Sequence, residues 1–177
     1  MEEKLAFLDE HYLSHFDYLD VDSVIQEQKA FGACQDVTLE YPVAENEGEE
    51  DNTYLSYNMV VGNAADSQMA MAFEVLDYAL LSAPGAPLKQ ALLDVKAGKD
   101  VYGSYDDGIL QPYFTVIAKG SNPDRKEEFV SVIRQVLGDI VKNGIDRKAV
   151  EAGINYFEFR YLSLIHISEP TRLLSIS

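Results

Sequence analysis

DVYGSYDDGILQPYFTVIAKG, residues Asp100–Gly120, decides the fold. Two runs rich in aromatic and β-branched residues, Asp100–Tyr105 and Leu110–Lys119, flank Asp106-Asp107-Gly108. An Asp-Gly step between such runs signals a β-hairpin, because a tight turn needs residues that tolerate positive φ. The hairpin makes the sheet antiparallel at this point, and the chain can be read outward from it. Upstream, TYLSYNMVVG (53–62) has the same composition and ends at Gly62. It reads as a strand, expected in the centre of the sheet. Asp66 stands where it caps a helix, and Met69, Ala72, Phe73, Leu76, Ala79 and Leu80 recur at helical spacing as its buried face. Ser82-Ala83-Pro84-Gly85-Ala86-Pro87 breaks that helix. Pro87 opens a short one through Leu92 and Leu93, ended near Gly98.

Downstream, Asn122-Pro123 is a cap followed by proline at the first helical position. Phe129, Ile133, Val136, Leu137 and Ile140 carry an apolar stripe, and Gly144 stops it. Asp146 caps a last helix with Val150, Ile154, Phe157 and Tyr161 on one face. From Thr53 the order is β-α-α-β-β-α-α. Helices on one face of a mainly antiparallel sheet make an α+β two-layer sandwich. No internal repeat is visible.

The flanks read differently. Glu2–Leu13 places Leu5, Leu8 and Tyr12 on one helical stripe, with Glu2, Glu3, Asp9 and Glu10 on the wet side. Ser14–Ala33 has scattered apolar residues and no sustained period. Asp36–Val43 alternates and predicts a short strand, with Val37, Leu39, Tyr41 and Val43 on one side and Pro42 suiting an edge. Glu45–Asn52 (ENEGEEDN) predicts a solvated linker. After Tyr161 the helical pattern is lost. Leu162–Arg172, LSLIHISEPTR, resembles one translated frame of a transposase-type sequencing adapter, so residues 162–177 are expected to be an artefact outside the fold.

The 177 residues hold 14 Lys+Arg against 30 Asp+Glu, a formal net charge of −16. Removing residues 162–177 takes out Arg172 and Glu169, which leaves 13 against 29 and the same net charge. That balance argues against nucleic acid and anionic lipid as partners, since both need Lys/Arg clusters. A hydrophobic fraction of 47% supports a real core. A single Cys excludes an internal disulfide. The acidic, amphipathic N-terminus is not a secretory signal, and no apolar run is long enough to span a bilayer. These features predict a cytoplasmic protein, bacterial in setting; an organellar one stays open.

Residue patterns that carry chemistry are few. His11 and His15 are four apart and share a helix face, a spacing that holds zinc when a Glu base and a third ligand are present. Tyr12 and Ser14 stand where either zinc motif has its Glu, so two histidines near a helix C-terminus are the favoured reading. Cys34 has no His nearby in sequence, and His166 lies in the suspected adapter. Glu45–Asn52 lacks the alternating ligands of a calcium loop. Asp106 and Asp107 form a carboxylate pair that the hairpin turn already explains. Tyr54, Tyr57, Tyr78, Tyr102, Tyr105 and Tyr113 are assigned mainly to packing, with some lining a wall. Gly62, Gly98, Gly103 and Gly108 do not make a phosphate loop. No catalytic, cofactor-binding or metal-binding residue is assigned.

The strings MEEKLAFLDEHYLSHFD, TYLSYNMVVG, FEVLDYALLSAPGAPLKQALLD, GKDVYGSYDDGILQPYFTVIAKG and EAGINYFEFRY together resemble a segment of the pitrilysin/insulinase-type zinc metallopeptidases, nearest the presequence-protease-like subgroup. The resemblance implies a chain of four homologous α+β domains closing around a peptide, with zinc held in the first domain by an HxxEH motif and a distal Glu. No HxxEH or HExxH occurs here. By this resemblance residues 1–30 are the end of the first domain, 31–52 a linker with a short strand, and 53–161 the front of the second, non-catalytic domain. The segment would supply part of a substrate-chamber wall of an endopeptidase for short unfolded peptides, and alone would be inactive. A non-catalytic subunit of the same superfamily, and a stand-alone α+β module binding a partner or effector, remain as alternatives. A domain interrupted at Tyr161 is expected to expose Ile154 and Phe157, to leave a sheet edge bare and to self-associate.

Overall fold

In a computed structural model, which describes residues 2–44 and 48–167, the hairpin forms, but through the longer connection Asp107–Pro112 rather than a tight Asp-Gly turn, and Gly108 takes no positive φ. Strand β2 (Asp100–Asp106) pairs antiparallel with β3 (Tyr113–Ser121), with Gly103 opposite Val116. β3 starts at Tyr113 rather than Leu110 because Pro112 has no N–H to give a ladder. The carbonyls of Leu110 and Pro112 are used instead by Ala64 N (2.9 Å) and Val61 N (2.8 Å). Strand β1 (Thr53–Val60) pairs antiparallel with the other side of β3. The described sheet order is therefore β1-β3-β2, and β1 is an edge strand, not the central one its composition suggested. Aromatic and β-branched content reports how a strand's faces are covered, not its position in the sheet.

One sheet face is covered. Leu55, Val101, Phe114, Val116 and Ala118 point into a core with Leu80, Leu81, Leu88, Leu92, Phe129 and Ile133. The helices that supply it are α2 (Ser67–Asp77) with the turn that follows it, α3 (Pro87–Asp94) and α4 (Lys126–Asn143), numbered after an N-terminal α1 (Glu2–His11), while α5 (Arg147–Ile167) packs against α2, with Gly153 beside Val75 and Tyr78. This is an α+β fold built on a three-stranded antiparallel sheet. Asp66 caps α2, its Oδ1 accepting from Met69 N at 3.0 Å. Pro87 opens α3 and Gly144, at φ 85°, ends α4 while its N–H donates to Ile140 O.

The helix that starts at Ser67 keeps most of its predicted face: Phe73 and Leu76 pack against the core, and Ala79 and Leu80 are buried. It runs into a π-helical turn, Tyr78–Ser82, which brings Leu81 into the core as well. Val75 is also buried, whereas Met69 and Ala72 are exposed.

The N-terminal part takes no share in this core. α1 is followed by a 3₁₀ turn, Leu13–His15, and residues 16–44 form neither helix nor strand. The strand expected over Asp36–Val43 does not form: its alternation is real, but no neighbouring strand offers a ladder, and Val37 and Leu39 stay exposed. Glu45–Glu47 of the acidic linker lie outside the described residues. At the other end, α5 continues past Tyr161 to Ile167, so the expected break in helix there is absent from the backbone. Ser168–Ser177, most of the suspected artefact tail 162–177, lie outside the described residues. Ile154 is exposed as expected, but Phe157 is buried against the domain. Among the described residues no helix is long and apolar enough to cross a membrane.

Candidate functional site

Strand alternation sends every second residue of the sheet away from the helices. Register places those residues in rows: Tyr54, Lys119 and Asp100; Ser56, Ile117 and Tyr102; Asn58, Thr115 and Ser104; Val60, Tyr113 and Asp106. This uncovered face is polar and aromatic, and most of it is exposed. It is ordered by its own bonds. Ser56 Oγ and Thr115 Oγ1 both donate to Asn58 Oδ1, at 3.0 and 2.9 Å. Asn58 Nδ2 thus remains to donate to whatever lies on the face. Lys119 Nζ sits 5.8 Å from the Tyr54 ring centre. Tyr113 donates to Asp106 Oδ2 at 3.1 Å, and that bond, with the nearby charge, raises the phenol's pKa above its usual value.

The six tyrosines split by strand parity. Tyr54, Tyr102 and Tyr113 belong to the open face, whereas Tyr57 and Tyr105 pack against the core and Tyr78 stacks on Tyr156 at 4.9 Å. Asp106 and Asp107 do not converge as an acid/base pair: Asp106 Oδ1 accepts from Gly108 N at 3.0 Å, and Asp107 is exposed. In the acidic linker, Asp51 is tied down rather than open to a cation. Its N–H donates to Asn122 Oδ1 and its Oδ1 accepts from Asn122 Nδ2, while Lys99 Nζ lies 3.4 Å from Oδ2. The Asn122 bond and then Lys99 hold this carboxyl below its usual range. His11 and His15 are exposed, His11 against the Phe7 ring at 4.3 Å, and Cys34 is exposed. Among the described residues no three His, Cys, Asp or Glu side chains group as metal ligands would.

Sequence reading missed Asp77, the last residue of α2. Its Oδ1 is buried without a hydrogen-bond partner among the described residues, and burial pushes the carboxyl up to about 6. The folded pKa lies above the unfolded value of 3.8, so the folded state binds more protons between them. Stability from this group is full below about pH 4 and is lost as pH rises through about 6. Asp77→Asn should flatten that part of the pH–stability curve and stabilise the chain at pH 7.5 by about 1–2 kcal/mol, a value discounted because the residue keeps some solvent contact. Urea midpoints at pH 4, 5, 6 and 7.5 for both chains check this. An equal slope in the two would count against it.

The family described as the peptidase M16 inactive domain matches residues 2–157. Protein HypA of Clostridium perfringens is 40% identical over 173 residues, covering 98% of this chain and 18% of that protein. Presequence protease 1, chloroplastic/mitochondrial, of Arabidopsis thaliana is 29% identical over 139 residues, covering 77% of this chain and 13% of the relative. The mitochondrial presequence protease of Xenopus laevis is 23% identical over 165 residues, 90% of this chain and 16% of that one. The chain therefore spans less than a fifth of each of these three relatives.

Proposed function

Since the chain belongs to the peptidase M16 family through its inactive domain, we propose that it is a non-catalytic wall segment of a longer peptidase, facing the peptide. In this reading residues 53–161 form the front of the second, non-catalytic domain of that peptidase, 1–30 the end of the first and 31–52 the linker. The observation that carries it is the open sheet face, with Tyr54, Tyr102 and Tyr113 beside the Ser56–Asn58–Thr115 hydrogen-bonded row. Such a face suits an extended, unfolded peptide. Tyrosine rings take apolar side chains at low entropic cost, and Asn58 Nδ2 and Lys119 can meet carbonyls or carboxylates. Sequence preference would be slight, because these contacts read backbone and bulk.

The zinc implied by such a peptidase does not fit this chain. His11 lies at the end of α1 and His15 in the following turn, both exposed, with Tyr12 and Ser14 in place of a general base. No step of hydrolysis is assigned to its residues. The chemistry belongs to an upstream domain carrying HxxEH, in a polypeptide placed in a bacterial cytoplasm by the same reading.

Calorimetry and a quenched-peptide assay test this. The chain should neither bind zinc tightly nor cleave, and a longer polypeptide with the upstream region should do both. In that polypeptide Tyr102→Ala should raise KM about threefold to tenfold with kcat little changed, the mark of lost uniform binding. One-to-one zinc binding by this chain alone would overturn the reading. A longer polypeptide that binds peptide without cleaving it would instead be a non-catalytic subunit.

A further inference from the structure

The only side-chain amide that brackets one residue's main chain from both sides, among the described residues, is Gln111. Its Oε1 accepts from Gln28 N at 2.7 Å and its Nε2 donates to Gln28 O at 3.1 Å. The partners are 83 residues apart. A neighbouring strand satisfies a residue in the same way, so this arrangement recognises extended backbone whatever its side chain. Gln111 is well held for the task. The carbonyls on either side of it, of Leu110 and Pro112, are bonded to Ala64 N and Val61 N, and Pro112 is buried. Beside it, Asn63 Nδ2 donates to Glu27 Oε1 at 2.7 Å, while Asn63 Oδ1 accepts from Ala65 N at 2.9 Å and so fixes the amide's orientation. An open depression of about 550 Å³ lined by Asn63, Ala65, Asp66, Ser67 and Gln68 adjoins the pair.

The occupant is attached by polar contacts alone. Val24, Ile25 and Phe31, which flank Glu27–Gln28, are each more than two-thirds exposed. Farther along, the Lys126–Asp36 ion pair is exposed. The apolar contact of this segment with the sheet, Tyr41 edge-on against Tyr54 at 5.8 Å, lies well away from Glu27–Gln28, so solvent and competing peptides can reach the bonds there.

We propose that Gln111 and Asn63 form a binding site for an extended peptide bearing a carboxylate one residue before the clamped position, and that Glu27–Gln28 of the chain's own N-terminal segment is its resident occupant. Release of that segment frees the site for a peptide supplied in trans. The site lies at the end of the sheet, between β2 and β3, and stands whether or not the open face meets substrate.

Hydrogen exchange on the full chain is the first test. The Gln28 amide should exchange about tenfold or more slowly than those of Leu19 and Phe31, and Gln111→Ala should erase the difference while the amides of Val116 and Ala118 keep their protection. Gln111→Glu, which keeps an acceptor and loses the donor, serves as a second variant if the first does not fold. The second test uses Gln28→Pro, which removes the N–H and vacates the site. A labelled acetyl-SVIQEQKAF-amide, the sequence of Ser23–Phe31, should bind the Gln28→Pro chain and bind Gln28→Pro/Gln111→Ala about tenfold more weakly. Exchange of Gln28 at the rate of its exposed neighbours, equal peptide binding by both chains, or no binding by Gln28→Pro would each overturn the proposal.

Discussion

Gly103→Ala should cost about 3 kcal/mol and lower the thermal midpoint by about 10 °C. A Cβ built on Gly103 would overlap Leu81 Cδ1, and would lie 2.8 Å from Thr115 O and 2.9 Å from Asp77 Oδ1. Two of these neighbours cannot step aside cheaply. Thr115 O belongs to the backbone of the central strand, and Leu81 is fully buried beneath β2. Asp77 is already a buried carboxylate without a partner, so crowding it further adds to an existing penalty. The sign of the effect is informative. Glycine inside a strand is intrinsically worse than alanine by about 0.5–1 kcal/mol, so an uncrowded Gly103 would make the substitution stabilising. Equilibrium urea unfolding decides between the two. Leu81→Ala in the same chain should recover part of the loss attributed to Gly103→Ala, because the two substitutions share one volume. A stability unchanged or raised by Gly103→Ala would mean that α2 does not approach β2 this closely.

The same crowding shows what a sequence can and cannot convey here. The hairpin was legible because Asp106 and Gly108 have local roles, one accepting from the other's N–H. The helix ends were legible for the same reason, through Asp66, Pro87 and Gly144. Quantities set by distant partners were not. The position of β1 at the sheet edge depends on β3 pairing with it across about sixty residues, which composition does not encode. The buried face read in α-helical phase holds at Phe73, Leu76, Ala79 and Leu80, and what it missed is Leu81, brought into the core within the π-helical turn, and Val75. Asp36–Val43 has a strand's alternation and no strand to pair with. In the site, parity alone separates Tyr54, Tyr102 and Tyr113 from Tyr57 and Tyr105, once register is known. Gln111 and Asp77 carried no signal at all. A lone amide has no motif, and a carboxylate next to Leu76 and Tyr78 looks solvated until the sheet is laid over it.

Phe129→Ala and Phe16→Ala remove the same ring, and should differ by about 3 kcal/mol or more. Phe129 is 1% exposed on α4, packed in the core cluster with Leu88, Leu92 and Ile133. Its truncation should cost about 3–5 kcal/mol, the transfer energy of the ring plus the cavity left in a rigid layer. Against a domain stability of about 5–15 kcal/mol, that leaves a chain near its unfolding threshold. Phe16 is 78% exposed, just past the 3₁₀ turn, in a segment with no buried residue before β1 among the described residues. Its truncation should change stability by less than about 0.5 kcal/mol. The pair therefore tests where the cooperative unit begins. If it begins at β1, only Phe129→Ala shifts the urea midpoint, and residues 2–44 open and are cleaved without unfolding of the sheet. The row of exposed Leu5, Phe7, Leu8, Tyr12 and Phe16 is then surface that needs a cover, and aggregation should fall in Phe16→Ala while stability stays the same. If Phe16→Ala costs as much as Phe129→Ala, the N-terminal segment folds onto the domain in solution and the cooperative unit begins at α1.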